Sequence, residues 1–201
     1  MVDTSGVLAG KTLAQISVGG ADACAVDTAG AAYCWGRNYY GQLGDGQSGD
    51  TTSSAVPVAV DTSGVLAGKT LTQISTSGVD TCALDSAGNA YCWGDGLNGQ
   101  LGNGASGDSA QFISVPVAVA GGYSFTQISV GIFQTCALTT ADAAYCWGDD
   151  TDGELGNASA APSSVPIPVD TSGVLAGVTL TQISAGFYFS CALGSTGDAY
   201  C

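Results

Sequence analysis

The chain has 201 residues, 45% of them hydrophobic and 10% charged, with three basic residues against 17 acidic ones and a formal net charge of −14. The apolar share supports a folded core and argues against intrinsic disorder, while so few cations cannot neutralise the roughly six to ten phosphates that a DNA binder contacts. No run of 18 apolar residues is present to insert into a bilayer, Met1-Val2-Asp3 does not read as a signal peptide, and without histidine there is no Ser-His or Cys-His nucleophile.

In chain order, a turn-rich spacer, Asp3-Thr4-Ser5-Gly6-Val7-Leu8-Ala9-Gly10, precedes a strand expected at Leu13-Ala14-Gln15-Ile16-Ser17. Cys24 and Cys34 then frame a hairpin. If they oppose each other across an antiparallel pair, Ala25 meets Tyr33, Val26 meets Ala32 and Asp27 meets Ala31. That register leaves Thr28-Ala29-Gly30 as a three-residue loop with glycine in the left-handed position. Trp35-Gly36, Gly41-Gln42-Leu43-Gly44, an Asp45-Gly46 turn and Val56-Pro57-Val58 follow, the proline implying an edge or irregular strand.

The same order then recurs. The second unit runs through Leu71-Thr72-Gln73-Ile74-Ser75, the pair Cys82/Cys92 around Ser86-Ala87-Gly88, Trp93-Gly94, a Gly-Gln-Leu-Gly phrase containing Leu101, the turn Asn103-Gly104 and Val115-Pro116-Val117. The third has Phe125-Thr126-Gln127-Ile128-Ser129, Cys136/Cys146 around Thr140-Ala141-Asp142, Trp147-Gly148 and Gly153-Glu154-Leu155-Gly156. The fourth has Leu180-Thr181-Gln182-Ile183-Ser184 and Cys191/Cys201 around Ser195-Thr196-Gly197, and stops before the Trp-Gly expected next. The first cysteines of successive pairs stand 58, 54 and 55 residues apart. The chain therefore reads as one repeat domain with units spanning residues 2–60, 61–119, 120–169 and 170–201, the last truncated.

Opposed residues at a non-hydrogen-bonded site lie about 4.5 Å apart at Cα, within disulfide reach, so four cross-strand disulfides are expected. The alternatives are buried free thiols and zinc, but zinc knuckles use tighter spacing and usually histidine. Each ring of about eleven residues stabilises by roughly 2–3 kcal/mol, and disulfide use on this scale points to a secreted, extracellular or cell-surface protein. Units of four short strands at this repeat length indicate an all-β fold, a β-propeller with blades of four antiparallel strands. Trp35, Trp93 and Trp147, with Leu43, Leu101 and Leu155, then belong to the core between blades rather than to a ligand-stacking site.

Gly78 through Gly104, with its Cys-Ala-Leu, Tyr-Cys-Trp-Gly and Gly-Gln-Leu-Gly phrases, followed by Val115-Pro116-Val117, resembles the repeats of the regulator of chromosome condensation family. The likeness covers essentially the whole chain. It implies a β-propeller, typically of seven blades, and a protein-binding platform; known members include exchange factors for small GTPases and secreted bacterial inhibitors. Where the family commonly has histidine two residues before the first cysteine-equivalent position, this chain has Asp22, Asp80, Gln134 and Phe189. No exchange-factor wedge or DNA-associated arm is recognisable, and the doubled cysteines resemble exported bacterial or environmental relatives.

The aromatic and apolar residues Tyr39, Tyr40, Ile132, Phe133, Phe187 and Tyr188 vary between otherwise matched units, as partner-binding residues do in repeat proteins, although such positions also fill gaps between blades. Asp149, Asp150 and Asp152 could offer oxygen ligands to calcium, but Gly148 stands where an EF-hand needs its first Asp, which favours a solvated turn. Asn157-Ala158-Ser159 is a glycosylation sequon. The expected function is an extracellular or surface protein-binding propeller segment without cofactor or catalysis, belonging to a longer chain or a homo-oligomer. The alternatives are a self-associating filament subunit and a carboxylate-dependent glycan hydrolase using Asp150 or Asp152.

Overall fold

A computed structural model describes residues 2–107 and 112–201. Three four-stranded sheets and one three-stranded sheet follow in chain order. The first holds β1 (Leu13–Val18), β2 (Asp22–Asp27), β3 (Ala32–Gly36) and β4 (Ser54–Ala59), and the second β5 (Leu71–Thr76), β6 (Asp80–Asp85), β7 (Ala90–Gly94) and β8 (Ile113–Ala118). The third holds β9 (Phe125–Val130), β10 (Gln134–Thr139), β11 (Ala144–Gly148) and β12 (Ser163–Pro168), and the last β13 (Leu180–Ala185), β14 (Ser190–Gly194) and β15 (Ala199–Tyr200). Each sheet is an antiparallel meander in sequence order. No helix among the described residues is long and apolar enough to cross a membrane.

The hairpin between the second and third strands is the most regular part of every unit. Cys24 pairs with Cys34, Cys82 with Cys92 and Cys136 with Cys146 in direct register. All four cysteine pairs are bonded, with Cα atoms 4.0–4.1 Å apart. The loop residues Gly30, Gly88, Asp142 and Gly197 have φ of 83°, 83°, 59° and 92°, the left-handed conformation that a three-residue loop requires. The loops are closed from below by one acceptor: Asp27 Oδ1 accepts from the amides of Ala29 and Ala31, both at 2.9 Å. Asp85 does the same for Ala87 and Asn89, and in the third unit the Thr139 hydroxyl takes that role at 3.3 and 3.2 Å.

The proline strands β4, β8 and β12 are the outer edges of their sheets, and the ladder shifts register at Cys34/Gly36, Cys92/Gly94 and Cys146/Gly148. Edge position and irregularity are both what a residue without an amide hydrogen demands. At the opposite edge, β1, β5, β9 and β13 neighbour one another in sequence, so the first strand of every sheet faces a common axis.

The recurring Gln-Ile-Ser phrase joins the sheets there. Gln15 Oε1 accepts from the Ile74 amide at 2.8 Å, its Nε2 donates to the Ile74 carbonyl at 3.1 Å, and Ser17 Oγ accepts from the Thr76 amide at 3.1 Å. Gln73 Oε1 and Ser75 Oγ likewise accept from the amides of Ile128 and Val130, and Gln127 Oε1 and Ser129 Oγ from those of Ile183 and Ala185. Each side chain supplies a hydrogen bond to a strand edge that its own sheet leaves unpaired, which prevents both the desolvation penalty and slippage between blades. At the two ends of the array this seam is open: Ile16 and Val18 are 55% and 71% exposed, and Gln182 and Ser184 are exposed.

Between sheets the tryptophans lock into glycine sockets. Trp93 is fully buried against the first sheet, with Nε1 donating to the Gln42 carbonyl at 2.9 Å, and Trp147 repeats this on Gln100 at 2.8 Å. Leu43 and Leu101 are fully buried beside them, and Leu155 is fully buried in the core of the next joint. Trp35, equivalent by sequence, is only half-buried, because among the described residues no sheet packs on that side of β1 to β4.

Candidate interaction surface

One end of the axis carries the variable residues. The loops β1–β2, β5–β6, β9–β10 and β13–β14 converge around a depression of about 250 Å³ lined by Val18, Thr76, Val130, Ile132, Ala185 and Phe187, among others. The segments after β3, β7 and β11 lie at the same end, since Arg37, Asp95 and Asp149 donate their amides to the carbonyls of Ala21, Val79 and Phe133.

Two aromatic clusters stand on this end. Phe133 stacks on Tyr188 with centroids 5.6 Å apart and meets Phe187 edge-on at 5.5 Å, while Phe187 and Tyr188 lie 4.4 Å apart. Phe187 and Tyr188 are 49% and 52% exposed, and Phe189 beside them is exposed as well. The second cluster joins Tyr39 and Tyr40, 4.9 Å apart, to Phe112 at 5.4 and 5.8 Å, with the Arg37 guanidinium 5.3 and 5.8 Å from the two tyrosine rings. Phe112 went unnoticed in the sequence because it ends a loop, between β7 and β8, whose length and residues differ from unit to unit. Ile132 joins neither cluster and lines the axial depression instead.

Beneath this end lies a layer of buried carboxylates. Thr76 Oγ1 donates to both oxygens of Asp22 at 2.9 and 2.8 Å, linking the second sheet to the first, and Ser77 Oγ donates to Asp80 Oδ1 at 2.6 Å. Burial pushes Asp22 up to about 7 even though the Thr76 hydroxyl bond opposes it. Burial also holds Asp80 well above the usual carboxylate range, with the neighbouring charges of Asp95 and Asp22 adding to the effect and the Ser77 hydroxyl opposing it. At the hairpin end the balance reverses: burial raises Asp27, but the Ala31 amide, the Tyr33 hydroxyl, the Ala29 amide and Lys11 outweigh it and leave Asp27 below its ordinary value.

The calcium candidates diverge. Asp149 Oδ1 accepts from the Asp150 and Thr151 amides, Asp152 is exposed, and among the described residues no group of three His, Cys, Asp or Glu side chains is placed to hold a metal ion. Nor is this segment a fully solvated turn. Asp150 is buried and its Oδ1 accepts from the Leu155 amide at 3.0 Å, as Asn38 does for Leu43, so it serves as a loop cap. Asn157 is half-buried and its Oδ1 accepts from the Ser159 amide at 2.8 Å. All three cations are engaged within the chain: Lys11 and Lys69 lie 3.5 Å from Asp27 and Asp85, and Arg37 covers Tyr39.

Comparison with known proteins places this architecture. The chain is 30% identical over 193 residues to the ultraviolet-B receptor UVR8 of Arabidopsis thaliana, covering 96% of this chain and 41% of that protein. It is 29% identical over 187 residues to the human E3 ubiquitin-protein ligase HERC2, covering 92% of this chain and 4% of the ligase, so it spans less than half the length of these relatives. Human WBSCR16 superposes with a TM-score of 0.80 at 21% identity over 94% of this chain and 47% of that one. Prp20p of Saccharomyces cerevisiae, studied for its binding to Gsp1p and histones, superposes with a TM-score of 0.80 at 16% identity over 93% of this chain and 44% of its own. The repeat model described as "Regulator of chromosome condensation (RCC1) repeat" matches residues 29–84, 87–138 and 142–193, and a second model of the same description matches residues 13–42. With cysteine hairpins, inner-strand seams and propeller-type sheets all following that repeat, the chain belongs to the RCC1 repeat family.

Proposed function

We propose that the chain is a protein-binding segment of an RCC1-type propeller that works outside the cell or at its surface and catalyses nothing itself. The observation that carries this reading is the Phe133–Phe187–Tyr188 cluster, presented in the open beside the axial depression. Rigid aromatic rings on a disulfide-braced scaffold bury large area with little entropy loss, which is how interface hot spots gain their energy. The disulfides support an oxidising compartment. With all three cations already committed and a net charge of −14, a polyanion is a poor partner. The test is affinity capture under oxidising conditions with the native chain and with a Phe187→Ser/Tyr188→Ser double variant, followed by measured affinities for each purified candidate. Equal binding by both proteins refutes the aromatic surface.

The filament reading draws on a separate observation, the open seam at both ends of the array, where Ile16 and Val18 at one end match in kind the strand edges that Gln and Ser side chains hold elsewhere. A head-to-tail contact of this kind propagates rather than closes unless its rotation completes a ring. Light scattering during size-exclusion chromatography tests it: a mass independent of concentration and equal to one chain removes the filament.

A further inference from the structure

The second aromatic cluster holds a cation that the fold itself does not use. Arg37 is the one arginine of the chain and one of three basic residues beside 17 acidic ones. Lys11 and Lys69 pair with the hairpin carboxylates Asp27 and Asp85. Among the described residues no carboxylate lies within ion-pair distance of Arg37, and the N–H donors of its guanidinium meet no oxygen acceptor. Arg37 is exposed, and the guanidinium is held instead 5.3 and 5.8 Å from the Tyr39 and Tyr40 ring centroids.

The matching place in the next two units serves the fold. Arg37, Asp95 and Asp149 each donate a backbone amide to the carbonyl of the preceding loop, at Ala21, Val79 and Phe133. Asp95 Oδ1 then accepts from the Leu97 amide at 3.0 Å and Asp149 Oδ1 from the Thr151 amide at 3.3 Å, each capping its own loop. An arginine side chain has no acceptor, so the first unit gives up that cap. The rings change with it: Tyr39 and Tyr40 stand where the second unit has Leu97 and Asn98 and the third has Thr151 and Asp152. Phe112 completes the bed from the second sheet's loop with φ of 62°, a left-handed conformation that a bulky residue adopts only when its surroundings impose it. A donor fork, two tyrosine rings and a strained phenylalanine thus meet at the joint between the first and second sheets, inside the array.

We infer that Arg37 with Tyr39, Tyr40 and Phe112 is a recognition site for one carboxylate side chain, carried beside an apolar residue on a protein partner. The rings hold the guanidinium in place, so little side-chain entropy is lost when its planar fork receives two carboxylate oxygens, and the exposed ring surface takes the apolar neighbour. A dense polyanion does not fit, because the net charge of −14 repels a run of phosphates or sulfates far more than a single carboxylate. The inference rests on the reading of the chain as a protein-binding segment and names what the partner brings.

The probe is acetyl-Phe-Glu-amide, titrated into the isotopically labelled, oxidised chain, with acetyl-Phe-Gln-amide as its uncharged twin. Because the chain has a single arginine, the Arg37 side-chain Nε–H gives one resonance that reports the site directly. Saturable movement of that signal is expected at about a millimolar, with the glutamine twin bound about tenfold more weakly, the scale of a charge-assisted hydrogen bond. Affinity for the glutamate peptide should fall as salt rises. Arg37→Lys keeps the charge and loses the fork, so it should weaken the probe by about tenfold with the melting temperature unchanged, the side chain being exposed. Phe187→Ser/Tyr188→Ser should bind the probe as the parent does, so that failure of the other aromatic surface and failure of this site are read separately. Equal affinity for the two peptides, no saturable movement of the Arg37 signal, full binding by Arg37→Lys, lost binding in the double variant, or a larger response to inorganic sulfate than to the peptide would each overturn the assignment.

Discussion

The joint between the second and third sheets and the joint between the third and fourth share one backbone seam but have different interiors. In both, a glutamine and a serine on the inner strand hold the amides of the next, at Ile128 and Val130 in one case and at Ile183 and Ala185 in the other. In the former an indole fills the space between sheets, and in the latter the matching residues surround a cavity. The contrast teaches that the polar seam sets the spacing of blades, whereas the tryptophan sets how densely each joint packs.

The comparison can be broken most severely at the indole. Trp147→Ala should cost about 3–5 kcal/mol by thermal or denaturant unfolding, the range for truncating a fully buried large aromatic, while Trp35→Ala, half-buried, should cost about half as much or less. Equal losses would show that the two side chains are equally embedded.

A second effect lies in the buried carboxylates. Because Asp22 titrates near 7 when folded and near 3.8 when unfolded, its contribution is fully present below pH 3.8 and is lost as pH rises through 7, a decline of up to about 4 kcal/mol. Asp27 and Asp85, held below their ordinary value, act with the opposite sign and lose their contribution on acidification. Denaturant midpoints across pH should therefore fall between about pH 4 and 7, and Asp22→Asn, which keeps an acceptor for Thr76, should flatten that limb.

Removing the pair Cys82/Cys92 as serines should cost roughly 2–3 kcal/mol, and removing Cys191/Cys201 should cost a similar chain-entropy amount because both rings close over the same separation of 10. Their reactivity should differ: Cys82 and Cys92 are fully buried whereas Cys201 is exposed, so mild reductant followed by alkylation and mass mapping should label the last pair first. The smallest contrast is in the seam itself. Gln73→Ala leaves the Ile128 amide without its acceptor and should cost about 1–3 kcal/mol, while Gln182→Ala, which touches no following strand, should fall within about 0.5 kcal/mol of the parent.

Much of this was legible from residue order. The ten-residue cysteine spacing, with glycine at the third loop position, specified strand register, and the proline phrases identified the outer edges, because both depend on backbone geometry within a few residues. The inner-strand phrase Gln-Ile-Ser was visible four times, but its role was not, since its hydrogen bonds reach residues 55 to 59 positions away. The aromatic candidates were found as departures from the repeat. Phe112 was missed because it ends a loop of unequal length in the different units, and the acidic run at Asp149 to Glu154 looked solvated because burial of Asp150 follows from the packing of the whole loop.

By itself the sequence determined the hairpins, the cross-strand sulfur pairs, the repeat and hence the stacking of sheets, all consequences of local geometry copied several times. Only the tertiary structure decided which copies of a repeated residue are equivalent in fact. Trp35 and Trp147 sit in the same Ala-Tyr-Cys-Trp-Gly phrase and differ in what packs across from them, because burial is set by the adjoining sheet and not by the strand that carries the side chain.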